Sequence, residues 1–211
     1  MTPLSHIVRH RIVAIVRGAA PAHLQPIAQA LLAGGIRTME VTLNSPGALA
    51  AIEGLSRTLG DKMLVGAGTV LDAESARAAL LAGARFIISP TLNVDTIRMT
   101  RRYGAVSIPG AFTPTEILAA HEHGADIVKV FPASVGAAYF SEITGPLPQI
   151  ALMPTGGVTL DNIESFQQAG AVAFGLGSAL VDTHQPFSAE ALEQLTARAQ
   201  RFANLVGVPQ P

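Results

Sequence analysis

Two lysines occur among the 211 residues, Lys62 and Lys129, and the second lies inside Asp126-Ile127-Val128-Lys129-Val130-Phe131-Pro132, a run otherwise suited to a buried β-strand. Burial disfavours the ammonium form and lowers a lysine pKa, which leaves a neutral amine able to attack a carbonyl carbon. The alternatives are a lysine whose stem runs past the strand end to solvent, or one paired with an internal carboxylate. The carboxylate that fits is Glu40. In Thr38–Leu43 it shares parity with Thr42 and, beyond the run, with Asn44, so all three face one side of a strand. A carboxylate beside a buried amine is either half of a structural ion pair or a general acid/base next to a nucleophile. Arg17, directly after Ile12-Val13-Ala14-Ile15-Val16, offers paired donors for a substrate carboxylate, or is a solvated strand-end arginine.

These residues are far apart in sequence, so the fold must bring them together. Short Val- and Ile-rich runs alternate with Ala- and Leu-rich helical patterns along the chain, as parallel strands joined by crossover helices do. Strands are expected at 12–16, 38–43, 63–66, 86–89, 105–108, 127–131, 150–153 and 172–176. Helices run toward Gly34, Gly83, Gly104, Gly124 and Gly170, each read as a left-handed helix terminus. Ser45-Pro46 and Thr113-Pro114-Thr115-Glu116 read as helix starts, the second as a capping box. Eight such units predict the α/β class and a (β/α)₈ TIM barrel formed as a single domain over residues 1–211. A doubly wound open sheet is the competing architecture. In a barrel the strand C-termini converge, which brings together Arg17, Glu40, Thr42, Asn44, Thr69, Lys129 and Thr155.

The last third of the chain adds Thr155-Gly156-Gly157-Val158 and Gly175-Leu176-Gly177-Ser178 at the expected ends of strands seven and eight. Glycines there expose backbone N–H groups to an anion, although tight turns also use glycine. A ligand phosphorylated at one end and reacting near the other follows. No metal site is expected. His6 and His10 lack a neighbouring carboxylate, His121 and His123 do not share a helix face, and the six histidines read as surface residues.

Hydrophobic residues make up 49% of the chain and charged residues 14%, enough apolar material for one well-buried core. A net charge of -1 with scattered basic residues argues against a nucleic-acid partner. The apolar stretches are too short to span a membrane, the N-terminal segment does not read as a secretory signal, and cysteine is absent. A cytoplasmic protein is expected. The mean hydropathy of +0.39 suggests apolar surface hidden in an oligomer, although a tightly packed barrel has a similar composition.

Taken in order, Val13-Ala14-Ile15-Val16-Arg17-Gly18, Met39-Glu40-Val41-Thr42-Leu43, Val65-Gly66-Ala67-Gly68-Thr69-Val70, Ile88-Ser89-Pro90, Ile108-Pro109-Gly110, Val128-Lys129-Val130-Phe131-Pro132-Ala133, Pro154-Thr155-Gly156-Gly157-Val158 and Gly175-Leu176-Gly177-Ser178 resemble a known family. It is that of the class I aldolases acting on 2-keto-3-deoxy-6-phosphogluconate and 2-keto-3-deoxy-6-phosphogalactonate, and the resemblance runs from Ile12 to about Val181. It implies that Lys129 forms a Schiff base with the C2 carbonyl of a phosphorylated keto acid and that Glu40 moves protons through a water. It also implies that Arg17 with the Gly68-Thr69 turn holds the carboxylate, and that Gly156, Gly157, Gly177 and Ser178 bind phosphate. The products would be pyruvate and D-glyceraldehyde 3-phosphate. The imine is the electron sink, so no cofactor or metal is implied; a homotrimer is.

Asn44 and Thr155 are the remaining substrate-binding candidates, and they point in opposite directions. Many phosphogluconate enzymes have arginine where this chain has Asn44, so Leu43-Asn44-Ser45-Pro46 resembles the phosphogalactonate type. Pro154-Thr155 resembles the phosphogluconate type. The slightly favoured substrate is phosphogalactonate. Two other functions use the same elements: a phosphosugar isomerase or epimerase without a covalent lysine, and a phospho-ligand-binding protein without catalysis.

Overall fold

The computed structural model describes residues 1–183 and 187–208. Helix α1 (Pro3–His10) leads into β1 (Ile12–Val16), and helix and strand then alternate: α2 (Pro21–Ala33), β2 (Thr38–Thr42), α3 (Ala48–Leu59), β3 (Leu64–Gly68), α4 (Ala73–Leu81), β4 (Phe86–Ile88), α5 (Val94–Arg102), β5 (Val106–Ile108). After β6 (Gly110–Ala111) come α6 (Pro114–Glu122), β7 (Val128–Val130), α7 (Ala137–Thr144), β8 (Leu152–Pro154), α8 (Ile163–Gln168), β9 (Phe174–Leu176) and α9 (Ala189–Leu205). Every strand pairing is parallel. The protein is therefore α/β, with a six-stranded sheet in the order β5-β4-β3-β2-β1-β9 and a three-stranded sheet β6-β7-β8.

Each expected strand has a counterpart, with changes at the edges. The third lies one to two residues later than expected, and the fifth is divided into β5 and β6 at Pro109. Proline supplies no ladder N–H, but its carbonyl accepts from Lys129 N at 2.9 Å, so the chain keeps its course while the regular pairing breaks. At the other junction Thr155 bridges Gly175, and Val172 N donates to Leu152 O at 3.0 Å.

Alternation along the strands divides the apolar residues into two cores. Ile12, Ala14, Val16, Met39, Val41, Val65, Ala67 and Ile87 pack toward the helices. Val13, Phe86, Ile88, Val106, Ile108, Ile127, Met153 and Ala173 form a separate cluster on the concave side of the sheets, joined by Ile7 from α1. A strand covered on both faces must be apolar throughout, and β1 and β2 are buried at every position. Polar side chains on the concave side, Glu40 and Lys129 among them, are therefore exceptions that need a reason.

Thr113 caps α6 as expected: its hydroxyl accepts from Glu116 N, and the Glu116 carboxylate accepts from Thr113 N. Ser45 is not a helix cap. Helix α3 starts two residues after Pro46 with Gly47 at its N-cap, and the Ser45 hydroxyl is used elsewhere. Gly83, Gly104, Gly124 and Gly170 are left-handed as expected, but after α2 that conformation belongs to Gly35. Gly34 is small for another reason: a Cβ there would approach Thr196 O of α9 to 2.7 Å, so its absence lets α2 and α9 pack closely. The histidine expectation also needs correcting. His10 is buried, with its ring centroid 4.4 Å from that of His6, and the His6 imidazole bonds Arg37 O.

Candidate active site

Lys129 lies on β7, whose register sets it opposite Gly110 on β6 and Met153 on β8. It is 4% exposed, and its ammonium nitrogen lies 4.7 Å from the centre of the Phe131 ring. Burial lowers its pKa, the Arg17 charge pushes the same way, and the Glu40 carboxylate opposes both. Glu40, on β2 opposite Ile15 and Gly66, is 1% exposed. Burial pushes its carboxyl up to about 7 against the pull of Lys129 and then Arg17.

Among the described residues the ion pairs within 4.0 Å are Arg98–Asp95 and Arg101–Asp126, so Glu40 and Lys129 act on each other without contact. The neutral pair, amine and carboxylic acid, holds the same number of protons as the ion pair, and burial of both groups favours the neutral form. That supplies a nucleophilic amine and a nearby proton donor together. Among the described residues Glu40 Oε2 has no hydrogen-bond partner, which leaves the acid free to serve an arriving group.

Gly68 makes the space for this carboxyl, since a Cβ there would overlap Oε1 and Cδ of Glu40. Two residues earlier on the same face, Gly66 makes room for the Phe86 ring. Thr69 follows at φ 55, a left-handed backbone unusual for a β-branched residue and costing on the order of 1–3 kcal/mol, a strain of the kind that clusters at functional sites.

A cavity of about 570 Å³ opens from Lys129. Of the expected site residues, Arg17, Lys129, Thr155, Gly156, Gly157, Gly177 and Ser178 line it. Glu40, Gly68, Thr69 and Asn44 are not in the lining. Glu40 and Gly68 pack against each other, and Asn44 accepts a hydrogen bond from Arg17 Nη1 at 3.2 Å. Thr155 is buried against Gly175, with its hydroxyl unpartnered among the described residues.

Among the lining glycines, Gly156 (φ 78) and Gly157 (φ 88) have left-handed backbones. A Cβ at Gly157 would come within 2.7 Å of Ser134 Cα, so that position requires glycine for space as well as for conformation. Among the described residues no protein acceptor takes the N–H groups of Gly157, Gly177 or Ser178. Asn162 braces this loop by donating to Gly157 O at 2.8 Å and accepting from Thr159 N at 2.7 Å.

Phe131, Thr159 and Thr183 also line the cavity and were not among the expected site residues. Phe131 was within reach, because it shares parity with Lys129 two residues earlier; Thr183 lies past the last strand and carries no local signal.

Lys129, Arg17 and the two glycine turns therefore share one cavity, with Glu40 acting on Lys129 electrostatically, and comparison with known proteins relates this arrangement to a family. The family model for KDPG and KHG aldolases matches residues 4–197. The chain belongs to that family.

Among this aldolase's relatives, the 2-dehydro-3-deoxy-phosphogluconate aldolase of Treponema pallidum is 36% identical over 99% of both chains. The 2-dehydro-3-deoxy-6-phosphogalactonate aldolase of Escherichia coli is 37% identical over 80% of this chain and 83% of its own. The KDPG aldolase of Legionella pneumophila, solved with pyruvate captured at low pH as a covalent carbinolamine intermediate, is 28% identical and superposes with a TM-score of 0.79, covering 100% of this chain and 99% of the other. Two relatives of nearly equal identity carry names that differ in the substrate, so similarity alone does not rank the two sugars for this aldolase.

Proposed function

We propose that this aldolase reversibly cleaves 2-keto-3-deoxy-6-phospho-aldonates to pyruvate and D-glyceraldehyde 3-phosphate through a Schiff base on Lys129. The observation that carries this reading is the buried Lys129 amine, its pKa lowered by burial, in a cavity that Gly156, Gly157, Gly177 and Ser178 also line.

The neutral amine adds to the C2 carbonyl, and loss of water, assisted by a proton from Glu40, gives the protonated imine. Glu40, acting through a water, then takes the C4 hydroxyl proton. The C3–C4 bond breaks, its electron pair passes to C3 to form the enamine, and C4 leaves as the aldehyde. Protonation of C3 and hydrolysis release pyruvate and regenerate the amine. A carboxyl titrating near 7 can both give and take protons at neutral pH.

Arg17 and the Gly68-Thr69 turn receive the carboxylate. Gly156, Gly157, Gly177 and Ser178 receive the phosphate, and Thr155 and Asn44 contact the sugar side. The two sheets act as one eight-stranded (β/α)₈ barrel: β5 and β6 form one strand interrupted at Pro109, and the Thr155–Gly175 bridge is the closing seam. The separate concave core supports this, since alternate residues of a closed barrel fill its interior. Residues 1–211 form a single domain. The enzyme works in the cytoplasm as a homotrimer, and exposed Leu49, Leu71 and Leu81 offer apolar surface for assembly. No helix among the described residues is long and apolar enough to cross a membrane.

Phosphogalactonate is the preferred substrate, with phosphogluconate also accepted. Initial rates of pyruvate release from the two purified C4 epimers test this. Turnover of both with higher kcat/KM on phosphogalactonate is expected. A large preference for phosphogluconate removes the substrate assignment, and turnover of neither removes the function.

A further inference from the structure

Arg17 is exposed, and an exposed arginine loses side-chain entropy when it is held to one geometry. Two cross-links tie the turn that carries it to the turn after β2. The outer one is the bond from Arg17 to Asn44, open to water. The inner one runs from the part-buried into the buried: Gly18 N donates to Ser45 Oγ at 2.8 Å, and Ser45 Oγ lies 2.9 Å from the buried Thr42 Oγ1. Thr42 is fully buried and Ser45 is 7% exposed.

Helix capping does not explain this hydroxyl pair, because α3 is capped at Gly47 without a side-chain bond. Gly18 has φ 74, and its amide has Ser45 as its acceptor, so the inner link fixes the backbone directly after Arg17. Thr42 is also two residues from Glu40 on the same face of β2, which joins the arginine turn to the strand that carries the acid/base.

We propose that Thr42 and Ser45 are positioning residues whose buried hydroxyl link holds the Arg17 turn in the geometry that receives the substrate carboxylate. The inference rests on the reading of Arg17 as the carboxylate-binding residue. Neither hydroxyl touches substrate; both act through Gly18 and Arg17.

The test compares inhibition by pyruvate, which reports the carboxylate end, with inhibition by inorganic phosphate, which reports the other end. Ser45→Ala is expected to raise the pyruvate Ki and the substrate KM about five- to tenfold, with kcat within about twofold and the phosphate Ki unchanged. Ser45→Thr restores the pyruvate Ki. Arg17→Leu raises it at least as far, and Arg17→Leu/Ser45→Ala raises it no further, because the link acts through the arginine. If Ser45→Ala does not fold, Thr42→Val, which keeps the shape and removes the Thr42–Ser45 bond that anchors the link, carries the comparison.

An unchanged pyruvate Ki in Ser45→Ala while Arg17→Leu raises it overturns the link and leaves the arginine assignment standing. Equal increases for pyruvate and phosphate, or additive effects in the double variant, also overturn it. An unchanged pyruvate Ki in Arg17→Leu removes the carboxylate reading and the link with it.

Discussion

The site has two parts, an amine end built on Lys129 and Glu40 and a glycine end built on the loops, and they are made differently. At the amine end, ionisable side chains stand on strands, buried and unpaired: Lys129 on β7 and Glu40 on β2, 4% and 1% exposed. At the glycine end, backbone amides stand on loops, and the side chains that matter are the ones left out, at Gly156 and Gly157. A reacting group must have its proton affinity tuned, which burial on a rigid strand achieves. A bound phosphate needs only many donors at close range, which bare backbone supplies. The division teaches that chemistry and grip can be lost separately.

The largest expected separation is Lys129→Arg. A guanidinium stays protonated and cannot form the imine, so kcat should fall at least about 10³-fold in the aldolase assay while inorganic phosphate still binds. Retained turnover would dissolve the distinction between the two ends.

Glu40→Gln should lower kcat by about 10²–10⁴-fold. In the native enzyme kcat/KM should fall as pH rises above about 7, because the free enzyme's Glu40 then loses the proton that assists imine formation, and the variant should lose that limb. The effect on stability has a definite sign. The folded pKa is raised above the unfolded value of 4.5, so the folded state holds the proton longer, and stability falls as pH rises from about 4.5 to 7 and then levels. Thermal melts should show Glu40→Gln more stable than the native protein at pH 8, by at least about 2 °C, with the difference gone near pH 4.5. Equal melting temperatures at pH 8 would mean that the carboxyl is not held neutral by burial.

A pair of glycine variants sharpens the contrast. Gly68→Ala drives a methyl into the Glu40 carboxyl and should lower kcat while leaving the phosphate Ki unchanged. Gly157→Ala meets the Ser134 backbone and a left-handed φ, and should raise the phosphate Ki about tenfold or more while pyruvate still forms its adduct. The smallest effect is expected from Asn162→Ala, which removes the two bonds bracing the glycine loop. KM should rise about fivefold with kcat near the native value, as measured by steady-state kinetics.

The amine end was more legible in the sequence than the glycine end. A lysine among Ile127, Val128 and Val130 breaks an apolar pattern, and the parity of Glu40 with Thr42 follows from the pleat. Both signals are local. The spacing of strands and helices was equally local, which is why β1 starts and stops where the alternation predicts. What could not be read depends on pairing across the fold. Ser45 resembles a helix cap because a hydroxyl before proline usually is one, yet its partner is the Gly18 amide, supplied by the turn after the neighbouring strand β1. Gly68 reads as part of a turn until the Glu40 carboxyl is seen to occupy the place of its missing Cβ. Thr69 carries no residue-type signal for its left-handed backbone, and Asn162 gives none for its hold on Gly157.

The central claim is that Lys129 is the nucleophile. Incubation of the purified protein with pyruvate and sodium borohydride, followed by intact-mass spectrometry and peptide mapping, tests it directly. One reduced pyruvyl addition per chain, mapped to Lys129, is the predicted result. No adduct while phosphate binding is intact, or an adduct at Lys62 instead, would contradict it.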